Sequence, residues 1–213
     1  MNKERPILFR APMVRAILEG RKAQTRRVVK PQPVGNADVQ FRVAAAVTID
    51  GGKQLRCPYG QPGDRLWVRE TGWERPIRTP RQMREGADTW PKFAYDADGW
   101  TDDDHADMKR WGFRRRPSIH MPRWASRILL EVTAVRVDRL SNISEADSIA
   151  EGVESVRNEG VYWRDYSNPD GRDCVSMTAL TPVESYKTLW ESINGSLSMN
   201  PWVWVVEFKR VTP

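Results

Sequence analysis

The sequence predicts an α+β fold in which a small curved sheet or β-barrel forms the core and helices lie at its flanks. Predicted strands outnumber predicted helices, and their order lacks the regular alternation of βαβ units. The 213 residues are 39% hydrophobic and 29% charged, which is enough for one packed domain. No internal repeat is visible. We therefore predict a single domain over residues 1–213, with two long insertions at about 71–117 and 154–180.

The N-terminal segment predicts a short extended stretch followed by a helix. Residues 6–9 are mostly apolar and are expected to be extended. The next segment has Pro12 in the first turn of a helix, a stop at Gly20, and apolar residues at helical spacing: Met13, Ala16 and Ile17. The polar, basic stretch after Gly20 is expected to leave the helix as an extended segment.

Three strands are indicated in the middle of the chain. Gln61-Pro62-Gly63-Asp64 is typical of a tight turn, and it leads into a strand over residues 65–70. Between 71 and 117 only short elements are expected, including a strand near residues 93–95. The clearest strand covers residues 128–138, and its apolar side chains are predicted to share one face: Ile128, Leu130, Val132 and Ala134.

The C-terminal part predicts two helices and a last strand. Ser144 is the expected N-cap of a short helix that ends at Gly152. Thr181-Pro182-Val183-Glu184 forms a capping box for a longer helix, which Asn194-Gly195 ends. Residues 201–211 alternate as a strand whose inward side chains are expected to be Trp202, Trp204, Val206 and Phe208.

The composition narrows the classes of function. The net charge is +6, and residues 1–30 alone hold nine Lys or Arg residues against two acids, a balance of +7. Such a concentration favours an anionic or nucleotide-like partner, although a solvated arginine-rich face kept for solubility is the alternative. The ten tryptophans are several times the usual number; most are expected in the core or in pocket walls.

Several chemistries are poorly supported by the sequence. Cys57 and Cys174 give neither a disulfide framework nor metal-ligand spacing, and His105 and His120 are the only histidines. No GxGxxG motif or Walker loop is present. The sequence has no apolar run long enough to span a membrane, and its first residues predict no secretory leader. We therefore expect a cytoplasmic protein that needs no metal or cofactor.

Lys22 and Thr25 are the most reactive pair that the sequence offers. A lysine amine activates a hydroxyl nucleophile three residues away only when the amine is neutral. The like charges of Arg21, Arg26 and Arg27 are expected to lower the pKa of Lys22. On spacing alone, however, an ordinary phosphate-binding basic loop is the better interpretation.

A family resemblance changes that weighting. The segment Ile17-Leu18-Glu19-Gly20-Arg21-Lys22 with Thr25-Arg26-Arg27, followed by Pro62-Gly63-Asp64 before a strand, resembles the ASCH domain, a relative of the PUA fold. The strand over 128–138 with Ile143-Ser144-Glu145, and the strand over 203–208, fit the same pattern. The resemblance covers about half of the chain, and its specific part is Gly-Arg-Lys-x-x-Thr. It implies a PUA-like β-barrel core and likeness to larger, phage-type members.

Some small ASCH proteins are amidohydrolases that cleave N4-acylated cytidines with a Lys, a Thr and a Glu. The resemblance therefore implies that Thr25 is the nucleophile, that Lys22 is its base, and that Glu151 orients the lysine. Arg21 and Arg26 are expected to contact the substrate. Other ASCH proteins bind RNA or are ribonucleases, so the alternative is a non-catalytic module that binds RNA or a modified base.

Five further residues are candidates for substrate binding, and each has a structural alternative. Glu70 is placed to bind a cytosine amine, or else to pair at the surface with Arg69 or Arg127. His120 and Trp124 belong to a polar-aromatic loop that resembles a pocket wall. A histidine in such a loop is more often structural, and Trp124 either stacks on a base or caps the barrel. Trp67 accompanies Glu70 on the strand. Tyr59, like Trp124, either stacks on a base or packs.

Overall fold

The structure is a computed structural model that describes residues 3–33, 40–43, 46–49, 53–77, 80, 84, 90–157, 161–167, 178, 179, 181–196 and 199–211. The described strands are β1 (Glu4–Leu8), β2 (Gln24–Val28), β3 (Gln40–Val43), β4 (Ala46–Ile49), β5 (Lys53–Arg56), β6 (Arg65–Arg69), β7 (Gly72–Glu74), β8 (Phe93–Tyr95), β9 (Arg114–Arg116), β10 (Leu129–Arg139), β11 (Ser155–Arg157), β12 (Val161–Arg164), β13 (Thr178–Ala179) and β14 (Trp202–Val211). The described α-helices are α1 (Ala11–Leu18), α2 (Asp102–Arg110), α3 (Glu145–Ala150) and α4 (Pro182–Asn194).

The strands form one larger sheet and three small ones. The larger sheet has the order β1-β6-β10-β14-β2, and the small sheets have the orders β3-β4-β5, β8-β7-β9 and β11-β12-β13. This mixture of sheets and helices confirms the predicted α+β class. Among the described strands, no closed barrel is found.

The chain divides into two compact units. The first unit comprises Met1–Lys3, Ala16–Arg65 and Glu131–Lys209. The second unit comprises Glu4–Arg15, Leu66–Leu130 and Arg210–Pro213. In the described part of the chain, no helix has the length and apolar character to cross a membrane.

Helix boundaries follow the predicted local signals. Ser144 caps α3 by accepting a hydrogen bond from the Asp147 backbone N–H. Thr181 and Glu184 form the reciprocal capping box of α4, and Gly195 follows its last residue. The turn after α1 contains Gly20 with a φ of 75°, a conformation that glycine adopts without steric strain. The predicted start and end signals of α1, α3 and α4 are thus confirmed.

The second unit has an aromatic core, which was not predicted because the sequence of residues 71–117 has no clear periodicity. Trp73, Ala94, Met108 and Phe113 form a buried cluster on which three half-buried tryptophans pack: Trp90, Trp100 and Trp111. Met108 belongs to α2, which Thr101 and Asp104 begin with a second capping box. The acidic run 102–104 is therefore the first turn of a helix, where negative charge stabilises the N-terminus. The predicted strand over residues 93–95 is confirmed as β8.

Two strands depart from strict alternation. In β10 the buried positions pass from even numbers, such as Leu130 and Val132, to odd numbers, such as Val135 and Val137, so Ala134 is half-buried. In β14 four consecutive residues from Val203 to Val206 are buried. The strand lies between β10 and β2 in the sheet and is buried on both of its faces, so a prediction of one inward face was incomplete.

Candidate active site

The Lys22 region is held by backbone hydrogen bonds within the first unit. The backbone N–H groups of Arg21 and Lys22 both donate to the carbonyl of Ala16, at 2.8 and 3.0 Å. The next residue, Ala23, donates to the Ala150 carbonyl at the end of α3. This bond brings the turn after α1 next to the residue that follows α3, which is Glu151.

Lys22 and Glu151 form a buried ion pair. The Lys22 Nζ donates to Glu151 Oε2 at 2.9 Å and to the Glu151 backbone carbonyl at 2.7 Å. The two side chains are 2% and 5% exposed. Glu151 thus binds the lysine through both its side chain and its main chain.

Gly152 allows this close approach. Its φ is 88°, and a Cβ atom at this position would lie 2.9 Å from Lys22 Cβ and 3.0 Å from Ala16 Cβ. Real Cβ atoms do not come that close to a neighbouring carbon. The glycine therefore allows the backbone after α3 to approach the lysine stem.

Thr25 lies three residues after Lys22 on β2. Its register partner on β14 is Val206, and its exposed fraction is only 4%. Because β2 is paired along its length with β14, the position of Thr25 is fixed by the sheet. The sheet therefore fixes the position of Thr25, three residues after Lys22 in the sequence, and little of its surface is open to solvent.

Arg26 extends the ion pair into a network. Its side chain is fully buried; Nη2 lies 2.8 Å from Asp147 Oδ2 and Nη1 lies 3.4 Å from Glu151 Oε1. Asp147 in turn accepts two hydrogen bonds from Arg136, which also pairs with Glu207. Three cationic and three anionic side chains therefore balance in this network, and such compensation is what buried charge requires.

The pKa of Lys22 lies below its ordinary value. Burial is the largest cause, since it disfavours the charged ammonium, while the Glu151 carboxylate acts in the opposite direction. Arg27 and Arg26 add smaller lowering effects. The predicted direction is confirmed, but loss of water around the amine contributes more than the neighbouring arginines.

Tyr186 of α4 lies next to the Arg26 guanidinium. The guanidinium carbon lies 5.8 Å from the centre of the tyrosine ring, and burial raises the pKa of Tyr186 well above its ordinary value. The same ring lines a small apolar cavity of about 80 Å³ with Leu140 and Ile143. Tyr186 therefore contacts the ionic network through Arg26 and also lines this cavity.

The first unit also contains the candidates Arg21 and Tyr59. Arg21 pairs with Glu19 and donates to the Gly152 carbonyl at 3.1 Å, so it lies beside the Lys22 ion pair. Tyr59 is half-buried and lies under the guanidinium of Arg27, at 5.9 Å. The structure thus brings Lys22, Arg26 and Glu151 together, with Arg21 beside them.

The other four candidates belong to the second unit. Glu70 is 1% exposed, and both of its carboxylate oxygens accept hydrogen bonds from Arg127, at 3.2 and 3.0 Å. Arg69 and Arg127 were the two predicted ion-pair partners of Glu70, and Arg127 is the one found. The Glu70 side chain is buried in this pair, whereas the Arg127 side chain is partly exposed. The remaining three residues have more open surroundings: Trp67 is half-buried, and His120 and Trp124 are exposed.

Sequence reasoning missed Asp147, Arg136 and Tyr186. Asp147 lies four residues before Glu151, and this spacing on a helix was an available signal. Arg136 lies in the predicted strand over 128–138 and Tyr186 in the predicted helix that begins at Thr181, and neither was given a role in the site. Asp147 and Tyr186 contact Arg26, and Arg136 binds Asp147. These contacts depend on pairings between distant parts of the chain.

Comparison of the chain with protein-family models, with curated proteins and with solved structures finds no match.

Proposed function

We propose that the chain is an amidohydrolase that cleaves the amide of an N4-acylated cytidine or a related modified nucleoside. The observation that carries the proposal is the buried ion pair between Lys22 and Glu151. Lys22 lies three residues before Thr25, which belongs to strand β2. The reaction would take place on a PUA-like core built around the five-stranded sheet.

In this mechanism Thr25 attacks the acyl carbonyl carbon. Neutral Lys22 takes the proton of the Thr25 hydroxyl and later gives it to the departing N4 amine, so that cytidine leaves and the acyl group stays on Thr25 as an ester. Water then hydrolyses the ester and restores the hydroxyl. Glu151 holds the Lys22 amine in position through its contacts of 2.7 and 2.9 Å.

Arg26 has a positioning role in this proposal. Its guanidinium is fully buried and is held by Asp147 and Glu151, so its contacts fix the second oxygen of the Glu151 carboxylate. We therefore assign to Arg26 the alignment of Glu151 instead of direct contact with substrate.

A non-catalytic module that binds RNA or a modified base is the second candidate. Thr25 is 4% exposed, and the hydrogen bonds of the Lys22 amine to Glu151 are short, as they would be in a purely structural ion pair. This candidate predicts base or RNA binding without turnover.

The deciding experiment is hydrolysis of N4-acetylcytidine by the purified chain and matched variants. Lys22→Arg keeps the charge but loses the ability to act as a base, so turnover should disappear. Thr25→Val, which keeps the volume but lacks the hydroxyl, should also be inactive, whereas Thr25→Ser should retain activity. Lys209→Arg is the control, since Lys209 is 61% exposed.

Thermal unfolding of each variant separates loss of chemistry from loss of fold. Turnover by folded Thr25→Val, or the absence of hydrolysis in the folded parent chain, would overturn the mechanism.

A further inference from the structure

The net positive charge of the chain is confined to the second unit. The first unit holds 17 Lys or Arg and 17 Asp or Glu residues, whereas the second holds 17 Lys or Arg and 11 Asp or Glu residues. The whole +6 of the chain therefore belongs to the second unit. Basic residues 16–30, which looked like a local excess in the sequence, are offset by acidic residues of the same unit.

Within the second unit, two guanidinium groups flank one tryptophan. The guanidinium carbons of Arg69 and Arg123 lie 5.3 and 5.7 Å from the ring centre of Trp67. Arg69 also donates to the backbone carbonyl of Ile119. These contacts join β6 to the loop that carries Ile119, Arg123 and Trp124.

This surface, the Trp67 face, exposes large apolar side chains. It consists of Trp67, Arg69, Ile119, Arg123 and Trp124. Ile119 is 57% exposed and Trp124 is 56% exposed, and the Arg123 side chain is 47% exposed. Trp124 makes a T-shaped contact with Phe93, with ring centres 6.4 Å apart, while more than half of the tryptophan stays in solvent.

Exposed aromatic rings beside guanidinium groups suit one class of ligand in particular. A single-stranded nucleic acid presents phosphates to arginines and free base faces to tryptophan, and stacking of this kind tolerates any sequence. A duplex keeps its bases within its own stack, so a protruding indole gains little from it. The excess of six positive charges in the second unit adds attraction for a polyanion.

We propose that the second unit binds single-stranded nucleic acid through the Trp67 face, with a base stacked on Trp124 and phosphates held by Arg69 and Arg123. This inference does not rest on the proposed hydrolase activity. Nucleic-acid binding without hydrolysis supports it, and hydrolysis without such binding overturns it.

One acidic residue, Glu4, reduces the positive charge of the Trp67 face. Glu4 lies 3.0 Å from the Arg123 guanidinium, and both side chains are 40% exposed or more, so the carboxylate competes with a phosphate for the same donor. Glu4→Gln removes this competing carboxylate and is therefore expected to strengthen the binding of single-stranded nucleic acid by a few-fold.

The test is fluorescence anisotropy with labelled oligouridine and oligothymidine strands, a duplex of the same length, and heparin. Trp124→Ala should weaken single-strand binding by roughly tenfold, while Trp124→Phe should largely restore it because stacking needs only an aromatic face. Arg123→Gln should also weaken binding and make its salt dependence less steep. Arg114→Gln removes an equal charge from the exposed strand β9 and should change affinity only slightly.

Two results would overturn the inference. The first is binding of heparin or duplex as tight as that of single strands and unchanged by Trp124→Ala, which would mean simple attraction of polyanions. The second is the absence of measurable binding at low salt. Because Trp124 is 56% exposed, its replacement is not expected to unfold the unit, and thermal unfolding verifies this.

Discussion

Lys22 has surroundings that act on its pKa in opposite directions. Removal of its ammonium from water lowers the pKa, contact with Glu151 raises it, and the effect of burial is the larger one. The neutral amine is therefore reached at a lower pH than in an exposed lysine. This is the form that the proposed attack by Thr25 requires.

The rate of hydrolysis should accordingly rise with pH through the lowered pKa of Lys22 and level off below the free-lysine value of about 10.4. Glu151→Gln removes the negative charge that raises this pKa, so the rise should move to lower pH. The maximal rate should fall because the amine is held less firmly. Measurement of kcat against pH for both proteins tests this, and identical profiles would contradict the role of Glu151.

Gly152 offers a second test at the residue scale. Gly152→Ala combines backbone strain at a φ of 88° with a clash against Lys22 and Ala16, so it should reduce the free energy of unfolding by about 3 kcal/mol. Gly20→Ala is the matched control, since Gly20 also has a positive φ but nothing within 4 Å of an added Cβ; it should cost about 1 kcal/mol. Urea unfolding measures both. Equal losses would mean that the contact with Lys22 is not tight.

At the scale of elements, local signals located the helices well. A threonine or serine cap followed by an acid predicted the starts of α3 and α4, because a cap is satisfied within one turn of the chain. The same signal marks α2 at Thr101 and Asp104, within the stretch where only short elements were expected. The burial of β14 on both faces depends on what packs against each face of the sheet, and the unbroken apolar run from Trp202 to Val206 was an available signal for it.

The capping box of α4 gives a prediction at this scale. Thr181→Ala removes the side-chain acceptor of the Glu184 backbone N–H, so the free energy of unfolding should fall by about 1 kcal/mol. Thr181→Ser keeps the hydroxyl and should lose much less. Chemical denaturation of the three proteins is the measurement, and an equal loss in both variants would assign the effect to packing of the threonine methyl group.

At the scale of the whole molecule, the Lys22 network shows the limit of sequence reasoning. The Gly-Arg-Lys-x-x-Thr element directed attention to Lys22 and Thr25, and the family resemblance supplied Glu151. Lys22 and Glu151 are 129 residues apart in the chain, however, and Arg26 and Asp147 are 121 apart. Only the folded chain shows that Arg26 pairs with Asp147 and Glu151, and that these carboxylates balance its charge.

The division of charge between the units leads to a prediction about salt. The first unit, which holds Lys22 and Thr25, has no net charge, and the nucleoside substrate has none either. The Michaelis constant for N4-acetylcytidine should therefore change less than about twofold over a roughly tenfold rise in salt, because few counterions are released. A steep rise of the Michaelis constant with salt would instead indicate that substrate binding itself depends on the charged surface.

The tryptophan cluster of the second unit has an optical consequence. The ring centres of Trp90 and Trp100 lie 5.5 Å apart at an angle of 33°, which is close enough for their electronic transitions to couple. Coupled indoles give a pair of circular-dichroism bands of opposite sign in the far ultraviolet, superimposed on the signal of the backbone. Helix content read from such a spectrum would be distorted by these bands. Trp90→Phe should remove them, so the difference spectrum would report the folding of the second unit alone.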